Sequence, residues 1–256
     1  MLSAERRRVI TDRLRATGRV VVSALSAEFD VSEETIRRDL DWIEKQGIAS
    51  RTYGGAVLAG QEGIAPPYSV RKNTNIDEKI SIAQCLASII QDGDTIMVDE
   101  SSTSAYAMRA IHHLSNITLI TNSQELLREM GSREGWRIIS TGGILKPGVM
   151  ALVGTHALRT VSSYHVKYSI FSCRGINTQL GLADSDDEVV RIKRAMLSAC
   201  DKAILLCDHR KFDRSGFTAL GKLSLADMII TDREPSAERK QRLIDSGIEL
   251  IIADQP

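Results

Sequence analysis

Apolar residues near the start of this 256-residue chain recur three or four positions apart, the spacing of one face of a helix. The recurring positions are Ile10 and Leu14, then Leu25 and Phe29, then Ile36, Leu40 and Ile43. They predict three short helices, of which the first ends near Gly18. Apolar fragments follow on both sides of Gly54 and Gly55, a pair suited to the tight turn of a small hairpin.

Beyond residue 75 the pattern changes to continuous apolar runs that alternate with amphipathic stretches. Such runs are typical of a parallel sheet that is covered by helices. The predicted strands are 95–99, 117–121, 137–141, 168–173, 203–208, 227–232 and 249–253. The predicted helices are 78–91, 103–114, 123–131, 186–200 and 237–246. Between the two patterns, residues 59–69 combine two glycines and two prolines without an apolar period, which predicts a linker.

Charge balance, the lengths of the apolar runs, and the cysteine and histidine pattern exclude several classes of protein. Lysine and arginine number 33, as do aspartate and glutamate, so bulk charge alone does not hold this chain on nucleic acid or membrane. No apolar run reaches the ~20 residues of a membrane span, and no signal peptide is evident. We therefore expect a cytoplasmic protein without a membrane partner. The cysteines lie far apart and the histidines form no ligand motif, so we expect reduced thiols and neither a metal nor a cofactor.

Residues 20–39 have the proportions of a helix-turn-helix, in which Ser23 and Ser32 cap the two helices. With its apolar residues turned inward, the second helix presents Arg37 and Arg38 to solvent. A guanidinium matches two acceptors at once on guanine or on a phosphate. These two arginines are therefore the natural contacts to DNA.

An ordinary surface helix is the alternative interpretation of the same segment. Glu34 with Arg38, and Arg37 with Asp41, are spaced as solvated ion pairs on any exposed helix. Residues 1–58 carry ten basic and nine acidic side chains, a net charge of +1, so the charge balance does not decide between the two.

Polar and glycine-rich residues gather just after the predicted strands. The carboxyl ends of parallel strands share one edge of a sheet, where open α/β sheets bind ligands. Each loop alone is more often a helix cap or a tight turn, but their convergence predicts a site. Residues 101–103 lead into a helix, so their hydroxyls and amides suit a phosphate, to which Lys211 and Arg174 add positive charge. The candidate residues are Asp99, Glu100, Ser101, Ser102, Thr103, Thr121, Asn122, Ser123, Gly142, Gly143, Arg174, Gly175, Asp208 and Lys211.

The string VSEETIRRDLDWIEKQGIASRTYGGA at 31–56 resembles the winged helix-turn-helix of the DeoR family of bacterial transcription regulators. Residues 78–253, with VDESST, STGG, GLADSDDEVVRIKRAML and DHRKF, resemble the sensor domain of that family, whose fold is related to ribose-5-phosphate isomerase and glucosamine-6-phosphate deaminase. The resemblance implies a dimer or tetramer that binds operator DNA and senses a phosphorylated sugar. It places the DNA contacts at Ser32, Glu34, Thr35, Arg37 and Arg38 of the recognition helix and at Arg51, Tyr53, Gly54 and Gly55 of the wing.

Two residues, Ser101 and Arg174, depart from the family pattern near the proposed phosphate, and Glu100 adds a carboxylate beside it. Ser101 replaces the usual glycine of the loop, and a side chain there restricts the approach of a phosphate to the backbone. Glu100 repels a phosphate unless it points away or bonds a sugar hydroxyl. Arg174 stands where many members carry a small residue, so it either offsets Glu100 or changes the choice of effector. It also neighbours Cys173, where a cation would lower the pKa of a redox-active thiol, although an inert buried cysteine is the alternative.

We predict an α/β protein with a winged helix-turn-helix in 1–58, a linker in 59–74, and a mostly parallel α/β sensor and oligomerisation domain in 75–256. Its predicted function is repression of a carbohydrate catabolic operon under the control of a phosphorylated sugar, without enzymatic activity. The alternative is a sugar-phosphate isomerase or deaminase with an appended DNA-binding domain. Such chemistry needs a carboxylate that moves a proton, although acids at a helix start are also favoured by the helix dipole. The candidate acids are Asp184, Asp186, Asp187 and Glu188.

Overall fold

The three predicted N-terminal helices are confirmed, and their apolar faces share one core. A computed structural model describes residues 2–46, 48–52, 54–58, 66–177, 180–212, 214 and 216–253, and the chain divides into two units, Met1–Thr74 and Asn75–Pro256. Ile10 and Leu14 are fully buried together with Ile36, Leu40 and Ile43. The elements of the first unit are α1 (Ser3–Thr17), β1 (Arg19–Val21), α2 (Val22–Phe29), α3 (Glu33–Lys45), β2 (Ala49–Thr52), β3 (Gly55–Leu58) and α4 (Tyr68–Arg71).

The start of α2 differs from the prediction. β1 passes directly into the helix, so Val21 is the N-cap residue and makes no capping hydrogen bond with its side chain. The predicted capping role of Ser23 is therefore wrong, because Ser23 already lies in the first helical turn. The predicted linker falls partly on residues 59–65, which lie outside the described residues.

The predicted hairpin is confirmed as β2 and β3, with its turn at Gly54. β1 adds a third antiparallel strand that the sequence did not predict, in the order β1-β3-β2. Gly55 opens β3 opposite Val21, and a Cβ atom there would lie 1.9 Å from the carbonyl oxygen of Val20. Gly55 is thus required by the close approach of β1, whereas a Cβ on Gly54 would meet nothing within 4 Å.

The second unit is an α/β domain with one large sheet and two small ones. Its helices are α5 (Ile76–Ala87), α6 (Ser102–Ala110), α7 (Gln124–Met130), α8 (Thr155–Ser162), α9 (Asp187–Leu197) and α10 (Ala237–Asp245). Its strands are β4 (Thr95–Val98), β5 (Thr118–Thr121), β6 (Arg137–Ser140), β7 (Ile144–Lys146), β8 (Ala151–Val153), β9 (Val166–Phe171), β10 (Gly175–Asn177), β11 (Gly181–Asp184), β12 (Cys200–Leu206), β13 (Thr218–Gly221), β14 (Met228–Thr231) and β15 (Glu249–Ile252).

All seven predicted strands pair in a single parallel sheet, in the order β15-β14-β12-β9-β4-β5-β6. The strand order reverses at the centre: β5 and β6 follow β4 on one side, whereas β9, β12, β14 and β15 extend the other side. The predicted α/β class is therefore confirmed. The gap between the ends of β4 and β9 is the switch point at which open α/β sheets bind ligands.

The sequence did not predict the short hairpin β7–β8, the helix α8 or the antiparallel sheet β10-β11-β13. These strands have only three or four residues, too few for a period of two to stand out. None of the helices in the described part of the chain is long and apolar enough to cross a lipid bilayer.

Candidate functional site

The predicted recognition helix α3 begins at the predicted cap. The hydroxyl oxygen of Ser32 accepts a hydrogen bond from the backbone N–H of Thr35 (3.2 Å), and the two hydroxyls lie 2.9 Å apart. This cap satisfies an otherwise unpaired N–H of the first turn. Ser32 and Thr35 are therefore part of the helix start.

The outward faces of α3 carry both arginines in exposed ion pairs. Arg37 binds Glu33 at 2.6 Å, so its i,i+4 partner is Glu33 and not the predicted Asp41. Arg38 is 76% exposed and lies 3.4 Å from Glu34. Exposed pairs of this kind contribute only about 0–1 kcal/mol, so they leave both guanidinium groups available to another partner.

One acid of α3 is buried, and the sequence pattern did not point to it. Asp39 is 1% exposed and accepts hydrogen bonds from Nε of Arg6 (2.5 Å) and Nε of Arg7 (2.7 Å), both on α1. It lies on the inward face of α3, beside Leu40. This buried ion pair fixes the rotation of α3 against α1, and with it the outward direction of Arg38.

The wing strand β2 is tied to α3 through Arg51. Its Nη1 donates to the backbone carbonyl of Arg37 (2.8 Å) and makes an ion pair with Asp41. The backbone N–H of Arg51 donates to Oε1 of Glu44 (2.6 Å). The predicted wing contact Tyr53 lies outside the described residues, and the exposed Gly54 forms the turn.

In the second unit, Asp99 joins the ends of β4 and β9 at the switch point of the sheet. It is fully buried and accepts hydrogen bonds from the backbone N–H of Ser172 (2.9 Å) and of Ser101 (3.0 Å), and from the hydroxyl of Ser104 (2.7 Å). Burial raises the pKa of Asp99, but Lys193 and these donors outweigh it and hold the pKa below its usual value. Asp99 is an ionised anchor of the loop.

Lys193, on α9, is the cation at the centre of this site. Its Nζ lies 2.7 Å from Asp184, 2.8 Å from the carbonyl oxygen of Ser172, 3.1 Å from Asp99 and 3.2 Å from Glu100. Burial lowers the pKa of Lys193, but the three carboxylates raise it well above its usual value. We call Lys193, Asp99, Glu100 and Asp184 the buried lysine cluster.

The loop that follows Asp99 forms the start of α6. Ser101, at the position of the family glycine, is the N-cap residue and accepts from the backbone N–H of Ser104 (3.0 Å). Ser102 and Thr103 are the first two helical residues and are buried. Ser101 therefore shapes the helix start, and Ser102 and Thr103 lie at its positive end.

Lys211 belongs to the same edge of the sheet. Its Nζ donates to the hydroxyl of Ser172 (2.6 Å), and this hydroxyl donates to the carbonyl of Leu206 (2.6 Å). Lys211 ends a 3₁₀ turn, His209–Lys211, whose start is capped by Asp208. The lysine is thus brought to the end of β9, next to the loop of Asp99.

The 3₁₀ turn His209–Lys211 is held by further ionic contacts. Asp232, fully buried at the end of β14, accepts from the backbone N–H of His209 (2.7 Å) and bonds its ring Nδ1 (2.6 Å). Arg210 pairs with Glu78 on α5. Single ligand atoms of Glu78, His209 and Asp232 lie within 4.8 Å of one another, but all three side chains are engaged in these pairs. The arrangement works as an anchor for the turn.

The other predicted loops have mainly structural roles. Thr121 donates to the carbonyl of Val98 (2.7 Å), and Ser123 caps α7. Asn122 is buried, and its Oδ1 has no hydrogen-bond partner among the described residues. Gly142 and Gly143 follow β6, two strands away from β4 in the sheet.

Arg174 and Gly175 lie at the junction to the small sheet. The backbone N–H of Arg174 donates to the carbonyl of Ala183 (2.9 Å), and its side chain is half-buried. Gly175 opens β10, and a Cβ there would lie 2.0 Å from the carbonyl oxygen of Arg214. Close packing therefore explains the glycine.

Family models match both units of the chain. The model of the DeoR-like helix-turn-helix domain matches residues 6–62, and that of the DeoR C terminal sensor domain matches residues 74–233. The chain belongs to the DeoR family. The predicted resemblance is thereby confirmed, and it covers both the DNA-binding module and the sensor.

Relatives of this DeoR-family chain are similar over nearly its full length. The HTH-type transcriptional regulator YulB of Bacillus subtilis (strain 168) is 36% identical over 232 residues, which are 91% of this chain and 90% of that protein. The glycerol-3-phosphate regulon repressor of Escherichia coli (strain K12) is 31% identical over 250 residues, 98% of this chain and 99% of that protein. Among solved structures, ribose 5-phosphate isomerase A of Methanocaldococcus jannaschii matches 55% of this chain and 56% of its own, with 16% identity and a TM-score of 0.41.

The acids of the alternative enzyme are mostly used in the fold of this DeoR-family chain. Asp186 is the N-cap of α9, and both Asp186 (2.5 Å) and Glu188 (2.9 Å) bind Lys146. Asp187 lies 3.8 Å from Arg191 on the helix surface. Of the four candidates, only Asp184 belongs to the buried lysine cluster.

Cys173 is buried at the end of β9, where burial raises its pKa to about 12, despite the nearby cation of Lys211. A thiol with so high a pKa carries almost no thiolate at neutral pH. The environment therefore favours the inert cysteine over the redox sensor.

Proposed function

We propose that this DeoR-family protein is a transcription repressor of a sugar operon, with residues 1–58 binding operator DNA and residues 75–256 sensing a phosphorylated sugar. The observation that carries the proposal is the division of α3 into two faces. Arg37 and Arg38 point to solvent, whereas the next residue, Asp39, is buried against α1. The similarity to a glycerol-3-phosphate regulon repressor supports both repression and a phosphorylated effector.

At the DNA end, Arg37 and Arg38 exchange their exposed glutamate partners for base edges or phosphates. The exchange loses little free energy because exposed ion pairs contribute only about 0–1 kcal/mol. A guanidinium that forms two hydrogen bonds to guanine discriminates against the wrong base by about 1–3 kcal/mol. A single small helix reads few bases, so we propose a dimer or tetramer on half-sites about 34–36 Å apart or multiples of that distance.

At the effector end, the phosphate sits beside Ser102 and Thr103, with Lys211 as its cation. The N-terminus of α6 attracts an anion through its amides and its dipole. Lys193 does not serve this purpose, because four acceptors already surround its three N–H bonds. The same ammonium group offsets the charge of Glu100, which lies 3.2 Å away, and thereby reduces the repulsion that a phosphate would meet.

Effector and operator influence each other through linkage. A sugar phosphate that binds better to the conformation with the poorer fit to DNA lowers operator affinity. DNA lowers effector affinity by the same factor, and the coupling free energy is commonly about 1–3 kcal/mol. Repression is relieved when the effector is abundant.

The DNA half of the proposal is tested by fluorescence anisotropy on a labelled duplex that the wild-type protein selects from a random library. We expect Arg37→Ala and Arg38→Ala to weaken specific binding strongly, by about 1–3 kcal/mol each, while circular dichroism shows unchanged melting. Arg191→Ala removes the same charge from the exposed surface of α9 and serves as the matched control. Wild-type affinity in both α3 variants would refute the assignment of the helix.

The sensor half is tested by thermal shift with glycerol 3-phosphate, fructose 1-phosphate and glucosamine 6-phosphate, each beside its unphosphorylated counterpart. A ligand at 100 times its Kd stabilises the native state by about 2.7 kcal/mol. The phosphorylated compound that raises Tm is then titrated by calorimetry. Thr103→Ala and Lys211→Ala should weaken its binding, whereas Lys222→Ala, at an exposed lysine of the same unit, should not. Unaltered affinity in both site variants would remove the phosphate position.

We also propose that the protein has no isomerase or deaminase activity. Proton transfer next to a carbonyl needs a carboxylate that is free to accept a proton, and Asp184 is held by Lys193 at 2.7 Å. The test is incubation of purified protein with aldose and ketose phosphates. Interconversion that is lost in Asp184→Asn would establish the enzyme instead.

A further inference from the structure

Arg51 is directed toward α3, although the family resemblance places it among the DNA contacts. Its side chain is 24% exposed, and Nη1 donates hydrogen bonds to the carbonyl of Arg37 (2.8 Å) and to Asp41. To reach a phosphate with this nitrogen, the guanidinium group would have to give up the charge-assisted contact with Asp41 and a backbone acceptor. Nη1 thus already has the kind of acceptors that a phosphate would offer.

The position of Arg51 in the wing explains why such an attachment matters. β2 is the edge strand of the order β1-β3-β2, so one side of it has no neighbouring strand. Strands of four residues in a hairpin are marginally stable without outside contacts. Arg51 and its backbone N–H to Glu44 (2.6 Å) supply polar contacts between this edge and α3.

The acceptor on α3 is the carbonyl of Arg37, one of the two exposed arginines. A carbonyl oxygen has two lone pairs, and inside a helix only one of them is used by the N–H four residues later. Arg51 occupies the second lone pair, one turn from the side chain of Asp41. The wing is therefore attached at the helical turn that presents Arg37.

We propose that Arg51 and Asp41 are positioning residues, which fix the wing against the recognition helix, and that Arg51 makes no phosphate contact. This inference rests on the proposed function, because it concerns how the DNA-binding surface is assembled. The direction in which DNA affinity changes distinguishes this positioning role from a purely electrostatic role. Asp41 is 55% exposed on the helix that meets DNA, so electrostatics alone predicts tighter binding when its charge is removed. A positioning role predicts weaker binding.

The experiment measures the affinity of full-length Arg51→Ala, Asp41→Asn and the double variant for the duplex that the wild-type protein selects, over a series of salt concentrations. We expect each single variant to weaken binding by roughly 10-fold to 100-fold, the size of a charged hydrogen bond. The double variant should bind no more weakly than Arg51→Ala, because both changes break one contact. The slope of log K against log salt should stay at the wild-type value in Arg51→Ala, whereas a lost phosphate contact lowers it by about 0.9 per chain.

Arg38→Ala is the control for the salt series, since this exposed arginine should lower the slope. A parallel measurement without DNA follows hydrogen exchange of β2 and β3, which should become faster in both single variants. A lowered slope in Arg51→Ala, or tighter binding by Asp41→Asn, would overturn the inference, as would unchanged exchange of the wing in both variants. Failure of the wild-type protein to select any duplex would refute the proposed function, and hydrogen exchange would still decide the attachment of the wing.

Discussion

Replacing Lys193 by methionine tests whether the buried lysine cluster holds the sensor together. Methionine keeps the length and apolar stem of the side chain but removes the ammonium group. Asp99, Glu100 and Asp184 are then left as neighbouring buried carboxylates without their shared cation. The change should therefore destabilise the second unit strongly while leaving its apolar packing nearly intact.

The magnitude follows from the environment of Nζ. Lys193 is 2% exposed, and breaking a buried ion pair by removing one partner costs about 3–5 kcal/mol. In a domain of about 150–250 residues, 1 kcal/mol corresponds to about 2–4 °C in Tm. The expected decrease in Tm is therefore about 6–20 °C.

Intrinsic fluorescence isolates the unit in question. The chain has two tryptophans, Trp42 on α3 and Trp136 in the second unit, where its ring N–H donates to the carbonyl of Leu114 (2.8 Å). In a Trp42→Phe background, thermal unfolding monitored by fluorescence reports only the sensor. Lys202→Met is the matched control, because its pair with Glu249 is solvent-exposed and should contribute less than about 1 kcal/mol.

The dependence on pH gives a second check. The raised pKa of Lys193 means that its contribution is complete below about pH 10.4 and is lost as pH rises through the folded pKa. The lowered pKa of Asp99 means that its contribution is present above about pH 3.9 and is lost as pH falls through the folded pKa. In Lys193→Met, the carboxylates can be relieved by protonation, so the loss of Tm should be smaller at pH 5 than at pH 8. A Tm within 2 °C of wild type at both pH values would refute the assigned role.

Three further outcomes are expected. Asp39→Ala leaves a buried guanidinium group unpaired in the first unit, so the unfolding free energy of that unit, followed by Trp42 fluorescence, should fall by about 3–5 kcal/mol; a loss below 1 kcal/mol would contradict this role. Gly55→Ala brings a Cβ to 1.9 Å from a carbonyl oxygen, so it should lower the unfolding free energy, measured by chemical denaturation, by about 1–3 kcal/mol. Gly54→Ala should change the unfolding free energy by less than about 0.5 kcal/mol, and equal effects would be inconsistent with the contact described at Gly55. Cys173, with its pKa raised to about 12, should resist iodoacetamide at pH 8 until the protein unfolds, as judged by mass spectrometry, and rapid labelling of the native protein would disprove its burial.

The sensor sheet was predictable because most of its strands are continuous apolar runs, and the inner ones are buried on both faces. A run such as 203–208 leaves few alternatives once helical patterns flank it, and all seven such runs entered one parallel sheet. The small sheets were not predictable for the converse reason. β7, β8 and β10 have three residues each, and what defines them is the partner strand across from them.

The loops at the carboxyl edge were predicted as a group, but the roles of their residues were not. Thr121 donates to a backbone carbonyl of β4, Ser123 caps α7, and Ser101 caps α6. Local sequence cannot distinguish a hydroxyl that caps a helix from one that binds a ligand, because both need the same residue at the same place. That Lys211 reaches this edge is seen only from its hydrogen bond to the hydroxyl of Ser172, which follows the neighbouring strand β9.

Asp39 and Lys193 were missed for one common reason, which also suggests how such residues can be found. Each interrupts an apolar face: Asp39 lies beside Ile36, Leu40 and Ile43, and Lys193 beside Val189 and Met196. A charge on a buried face is tolerated only with partners, so its presence predicts an ion pair before the partner is known. In both units the partners lie on other elements, α1 in one and the ends of β4, β9 and β11 in the other. These ion pairs fix the elements that carry Arg38 and Thr103, so the geometry of each proposed binding surface depends on a buried charge.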